Sequence, residues 1–394
     1  MSDIKVKTLT QVHVGNGLFL QKGNDFIVST NGAETFVDVL STNKIGEIIK
    51  LNDLILQEWT DAIIHDEAEA FVQKFVMSLP YEAYSKRRIK LSPRVEFNKW
   101  QKTVKEQIHD GMGRPYIPGS SIKGALRTAV FSIMARPKVM PLYNKMKEEE
   151  EIVLNEEPDK EKRKQKLNEI RRNFENAIIK MEKTLIGSME NDFFRFISTG
   201  DAFFPRGSEI GIREMNLNIT NRSTLMDQTK SQIVEAISSN STSSFRLTIK
   251  QDFFNKSGFK DEMNLFGRIN EYTKILIQQE IDFWRQKIDY YGQDYYIANL
   301  KKILNEVSLC RPNETVLRIG QASGWRFVTG AWLEELMKVE EYNKSSNKYQ
   351  TVFRSMIVPK CRKERYYGNY EDFPKSRRIE SSSNVLGVVK LTAM

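Results

Sequence analysis

Apolar residues along the first forty positions alternate as strands do. Val6, Leu9, Val12 and Val14 lead into Gly15-Asn16-Gly17, after which Leu18-Phe19-Leu20 reads as the return strand of a turn. Further short apolar runs at 25–29 and 35–40 extend the pattern. Residues 41–50 and 51–79 switch to a helical period, with Ile45, Ile48 and Ile49 and then Trp59, Ile63, Phe71 and Phe75. After the turn residues of 111–115, segment 116–134 predicts a helix. Pro118-Gly119 makes the turn, Ser120 or Ser121 is the N-cap, and Ile122, Leu126, Ala129, Val130 and Ile133 form the buried face. Strand-like runs return at 193–197, 210–219, 245–251, 316–319 and 385–391, around a helical stretch over 265–304. Strands and helices mix without regular βα alternation, which predicts an α+β fold.

Between them, 144–190 is dense in charge, with Glu148 to Glu151 in a row and Phe174 as its one aromatic. That composition predicts a solvated helical insertion. The chain therefore divides into a module over 1–143, the insertion over 144–190 and a second module over 191–394, in line with 394 residues at roughly 150 per domain.

Composition narrows the chemistry. The net charge of +9 is uneven: residues 1–70 hold five lysines and eleven acidic residues, a net −6, which leaves +15 on the remainder. Concentrated positive charge fits a polyanionic partner. No apolar run approaches a membrane span, and the amino terminus has no apolar leader, so a cytoplasmic protein is expected. Two isolated cysteines and three histidines are a poor supply for a zinc site or a Cys/His nucleophile pair. The run from Gly119 to Gly124 has the glycine spacing of a phosphate loop, but Ala125-Leu126 stands where the Lys-Ser/Thr pair belongs, which excludes an NTPase. No metal or other cofactor is expected. Asp25 and Asp201, the loop carboxylates open to a metal-assisted nuclease, read first as turn residues.

Lys123 and Arg127 lie four residues apart near the start of the 116–134 helix, where amides, dipole and two cations suit a phosphate; two solvated cations are the plain alternative. Gly124 permits close approach of another backbone. Gly320-Gln-Ala-Ser-Gly324 is a second glycine loop, in which Trp325 and Arg326 could stack on and pair with a nucleotide or pack as an ordinary hairpin. Basic runs occur at 86–94 and at 360–365 with Arg377 and Arg378; Tyr366, Tyr367 and Tyr370 lie beside the second.

Four ordered segments together resemble the RAMP superfamily of CRISPR ribonucleoprotein subunits. They are Thr10-Gln-Val-His13-Val-Gly15-Asn-Gly17, Tyr116-Ile-Pro-Gly-Ser-Ser-Ile-Lys-Gly-Ala-Leu-Arg127, Leu317-Arg-Ile-Gly320 with Gly324-Trp325, and Arg377-Arg-Ile with Leu386-Gly-Val-Val-Lys-Leu391. Length and motif order are most similar to the fifth subunits of type III-A (Csm) complexes. The resemblance implies ferredoxin-like (RRM-like) modules and a non-catalytic subunit that caps the guide RNA (crRNA) filament at its 3′ end. It implies contacts with the backbone RAMP subunit and the small helical subunit, and a part in guide maturation with host nucleases as further partners. Carried over by position, His13, Gly15, Gly17, Ser120, Ser121, Lys123, Gly124, Arg127, Gly320, Gly324, Trp325 and Arg326 become RNA-binding residues. Ala322 departs from the glycine expected in the second loop. A transcript-processing endoribonuclease of the same superfamily, with His13 as general acid or base, and the equivalent type III-B subunit are the alternatives.

Overall fold

The computed structural model describes residues 1–50, 53–65, 67–75, 79–93, 95–97, 101–218, 226–286, 293–343, 347–357, 376–382 and 384–394. Two sheets organise it. In the first, Ser2–Thr8 alternates buried Ile4, Val6 and Thr8 with exposed neighbours, as a strand with one face on a core must. It pairs antiparallel with Thr242–Ile249 on one side and Val388–Ala393 on the other, and Ile197–Thr199 completes that edge. The order Val388–Ala393, Ser2–Thr8, Thr242–Ile249, Ile197–Thr199 is that of a ferredoxin-like βαββαβ unit. Its two helices are Gly119–Glu156 and Glu262–Arg285, which bury Ile122, Leu126 and Val130, and Leu265, Phe266 and Ile269, in one core with Ile4 and Val6.

One more strand, Glu314–Arg318, extends this sheet beyond Val388–Ala393. Its outer edge is closed by side chains of the 262–285 helix. The Asn270 amide donates to the Glu314 carbonyl (2.7 Å) and accepts from the Val316 N–H (3.0 Å), and the Thr273 hydroxyl donates to the Val316 carbonyl (3.2 Å). These bonds satisfy backbone groups that would otherwise recruit another strand.

The second sheet has eight strands. Along it lie Gly15–Gln21, Thr103–Gln107, Met226–Ile237, Glu209–Asn218, Ser85–Leu91, Glu34–Leu40 and Phe26–Asn31, with Ser376–Glu380 paired to Glu209–Asn218. Both sheets draw strands from both ends of the chain, so the expected split into modules 1–143 and 191–394 does not describe separate bodies.

The boundary at 143 also falls inside a helix. Gly119–Glu156 runs unbroken past Pro137 and Pro141. A proline inside a helix costs about 3 kcal/mol, and here burial of Ala135, Val139, Tyr143 and Met146 offsets it. The insertion is likewise no solvated arm: Phe174, Ile178 and Met181 close a core with Trp332, Val352, Phe353, Met356 and Ile357. The expected 51–79 helix is two, Asp53–Ile64 and Ala68–Phe75. Met226–Ile237 has no counterpart in the sequence reading.

Candidate nucleic-acid interface

The two sheets, the amino-terminal half of the long helix and the loop after Glu314–Arg318 enclose a groove of about 500 Å³. Gly15 and Gly17 line it from the second sheet, Ser121, Gly124, Ala125 and Thr128 from the helix, and Gly320, Gln321 and Ser323 from the loop. The helical positions are i, i+3, i+4 and i+7, one face. Segments more than 300 residues apart in the chain thus meet around a groove to which each contributes a glycine.

Each glycine has a physical reason to be there. Gly320 has φ +91°, and a Cβ would overlap the His13 carbonyl oxygen. A Cβ on Gly15 would lie 2.9 Å from His13 Nε2. Gly124 is different: a Cβ there would meet nothing within 4 Å, so the glycine leaves the groove open without relieving any internal clash.

Among the described residues the charge of the groove comes from Lys105 and Arg318, and no aspartate or glutamate lines it. Lys105 lies on Thr103–Gln107 and bonds Gln321 across the opening. Burial holds its pKa below the ordinary lysine value; nearby Arg378 pushes the same way and Glu214 opposes. Arg318 donates to the carbonyls of Leu386 (2.9 Å) and Ala322 (2.8 Å) and lies over the Phe327 ring, 4.6 Å from its centroid. It makes no ion pair among the described residues. Neither cation was singled out in the sequence: Lys105 only closes the basic 81–105 stretch and Arg318 only falls inside the Leu317-Arg-Ile-Gly320 segment.

Several expected residues stand elsewhere. Lys123 and Arg127 point away from the groove face. Arg127 is paired with Glu182 (3.0 Å) and Asp192 and covers the Phe194 ring, so its charge is spent on the end of the insertion and the segment that follows it. Ser120 and Ser121 do not cap the helix. It starts at Gly119 after Pro118 with no capping side chain from its own segment, and Asp201 Oδ1 accepts from the Gly119 N–H (2.7 Å). The protein's own carboxylate therefore occupies the dipole end where a phosphate was expected.

His13 is 3 % exposed and lies under the floor. Its Nδ1–H donates to the Glu235 carbonyl (2.6 Å), which leaves Nε2 unprotonated and without a hydrogen-bond partner. Burial lowers its pKa. Trp325 packs edge-on against Phe353 at 5.6 Å, above Gly330, where any side chain would strike its indole. Arg326 is buried, 2.8 Å from Glu280 and paired with Glu334, so it cannot reach a nucleotide. Gly324, at φ +72°, is exposed beside the groove loop.

The basic run at 86–90 is also engaged. Arg87 bridges Glu106 (2.8 Å) and Glu235 (2.9 Å), Arg88 pairs with Asp38 (2.6 Å) and Lys90 with Glu34. Glu106, His109 and Glu235 bring ligand atoms within 4.8 Å of one another. The Arg87 guanidinium already supplies the positive charge between the two carboxylates. Arg377 is held by Glu280 and Arg378 by Glu214. Arg94, residues 360–365 and Tyr366, Tyr367 and Tyr370 lie outside the described residues. No helix among the described residues is long and apolar enough to cross a membrane.

The sequence profile of the RAMP superfamily matches residues 5–361. No curated protein matches the chain. Among solved structures, a chain of a Csm–crRNA–target RNA ternary complex of a type III-A CRISPR-Cas system, determined by cryo-EM, is similar in fold. It has a TM-score of 0.60 and 17% identity, and the match covers 100% of both chains. The crystal structure of T. onnurineus Csm5 gives a TM-score of 0.57 at 17% identity, covering 98% of this chain and 99% of that one.

Proposed function

Because the chain belongs to the RAMP superfamily, we propose that it is a non-catalytic subunit of a type III-A CRISPR ribonucleoprotein that holds guide RNA by its backbone in the glycine-floored groove. The observation that carries this is the lining itself: among the described residues, two cations, no carboxylate, and glycines and small residues that let a sugar-phosphate chain approach main-chain atoms. Phosphate contacts of this kind position a strand without reading its sequence. In this reading the chain occupies the 3′ end of the guide filament beside the backbone RAMP subunit and the small helical subunit, and it supports maturation by host nucleases. Similarity in fold to a chain from a Csm–crRNA–target RNA complex supports that setting.

The chemistry present supports a binding role over cleavage. A general acid or base needs an accessible proton site, whereas His13 lies beneath Gly15, and His109 is held by Glu209 (2.9 Å) with Glu235 beside it tied to Arg87.

Lys105→Ala should weaken binding of single-stranded RNA and reduce the slope of log affinity against log salt by about 0.7. Lys123→Ala with Arg127→Ala should leave that slope unchanged. The reverse pattern would move the RNA to the other side of the helix. Incubating the full chain with repeat RNA, with and without EDTA, tests the absence of nuclease activity; cleavage lost in His13→Ala would overturn it.

A further inference from the structure

Trp325 packs against Phe353, and Phe327, which lines the groove, lies under the Arg318 guanidinium; an open ring for a base must come from elsewhere, and the second sheet offers one. Gly15–Gln21 and Thr103–Gln107 pair out of step: Gly15 faces Gln107 and Phe19 faces Lys105, so four steps on one strand match two on the other. The excess lies at Asn16, Gly17 and Leu18. It is held by the Asn16 side chain, which accepts from the Leu18 N–H (2.8 Å) and donates to Glu106 (2.7 Å), and by Gly17 at φ +90°. Bulges of this kind re-aim side chains beside functional sites.

The bulge sets Phe19 directly opposite Lys105, so the two share a sheet face, and that face is the one on the groove. Phe19 is 51 % exposed, and the Lys105 ammonium lies 6.0 Å from its ring centroid. A single half-exposed aromatic on an edge strand is ordinary by itself; what sets Phe19 apart is its neighbour. Here its immediate neighbour is a groove cation bonded to the Gly320 loop. A flat ring beside a phosphate-binding cation is the pairing that single-stranded nucleic acids require, one group for the base and one for the backbone.

We propose that Phe19 is a base-stacking platform at the groove rim, binding one nucleobase of the strand whose phosphate Lys105 holds. This rests on the groove reading above and adds a consequence to it: the site selects unpaired RNA over duplex and is indifferent to base identity.

The test uses the full chain and three fluorescent probes of equal length: a single-stranded RNA, an abasic strand with the same phosphates, and an RNA duplex. Phe19→Ala should weaken the single strand by about 5-fold or more, the lower end for one stacked base. It should leave the abasic strand unchanged and narrow the preference for single strand over duplex. Phe19→Trp should restore wild-type affinity, and both variants should melt near the wild type because the ring packs little of its surface. Equal losses on the RNA and the abasic strand would overturn the stacking role, as would no loss on RNA in a variant set where Lys105→Ala does weaken it. No effect from either Phe19→Ala or Lys105→Ala would sink the groove reading, and the stacking proposal with it.

Discussion

Gly124 separates what the fold needs from what the groove needs. A glycine inside a helix is about 0.5–1 kcal/mol less stable than alanine, and Gly124 lies in the first turns of a 38-residue helix. A Cβ there would meet nothing within 4 Å, so nothing in the packing offsets that cost. Gly124→Ala should therefore stabilise the protein by about 0.5–1 kcal/mol, read as a higher urea midpoint. RNA affinity should change little, because one methyl group occupies a small part of a 500 Å³ groove. Gly124→Glu keeps the helix gain but places a carboxylate in a groove that has none. At 4–6 Å from a phosphate, with an effective dielectric constant near 20, the repulsion is about 3–4 kcal/mol, or roughly 100- to 1,000-fold in affinity. Urea unfolding and RNA titration of the same preparations give both numbers. A less stable Gly124→Ala would show that the glycine answers to packing after all. An unchanged affinity in a folded Gly124→Glu would refute the groove as the RNA site.

Other perturbations reach the scaffold. Glu280 is fully buried; burial alone would raise its carboxyl pKa, but Arg377 and Arg326 override this and hold it at about 2 against an ordinary 4.5. A depressed pKa stabilises the fold above the unfolded value and is lost as pH falls from about 4.5 toward 2, a contribution of about 3 kcal/mol. Glu280→Gln should cost about 3–5 kcal/mol near neutral pH by removing the buried carboxylate that Arg377 and Arg326 share, with Arg326 keeping Glu334. Its deficit in urea unfolding should shrink as pH is lowered toward 3, and a constant deficit would contradict the ion-pair account. Asp201→Ala should cost about 1 kcal/mol by uncapping the Gly119 N–H while Asp201→Asn costs less, with RNA affinity maintained in both; a large affinity loss would mean that this carboxylate acts beyond the cap. Arg127→Ala should cost under about 1 kcal/mol, since its pairs are partly exposed, and a larger loss in thermal melts would show that it anchors the insertion.

What could be seen in the sequence was local. The apolar positions of the 116–134 helix, the first strand and the glycine turns all follow from periods and backbone freedom that neighbours along the chain determine. The groove used those glycines: Gly15, Gly17, Gly124 and Gly320 meet although nothing in their spacing announces it. Charge was read less well, for a physical reason. Whether a cation is free depends on partners brought by tertiary pairing, and Arg127, Arg326 and Arg377 found theirs in Asp192, Glu334 and Glu280. Lys105, at the end of the basic 81–105 stretch, and Arg318, inside a motif, drew no notice for their own charge, yet they face an opening that no carboxylate lines among the described residues. Charged residues picked out along the chain therefore turned out to be ion-paired, whereas several of its motif glycines meet at the groove. Gly124 is the clearest case, because a helix gives up stability there for open space alone. The same logic applies to Phe19. Its exposure looks unremarkable in an alternating strand, and only the two-residue slip against Thr103–Gln107, invisible without the partner strand, sets it directly opposite Lys105 on that face.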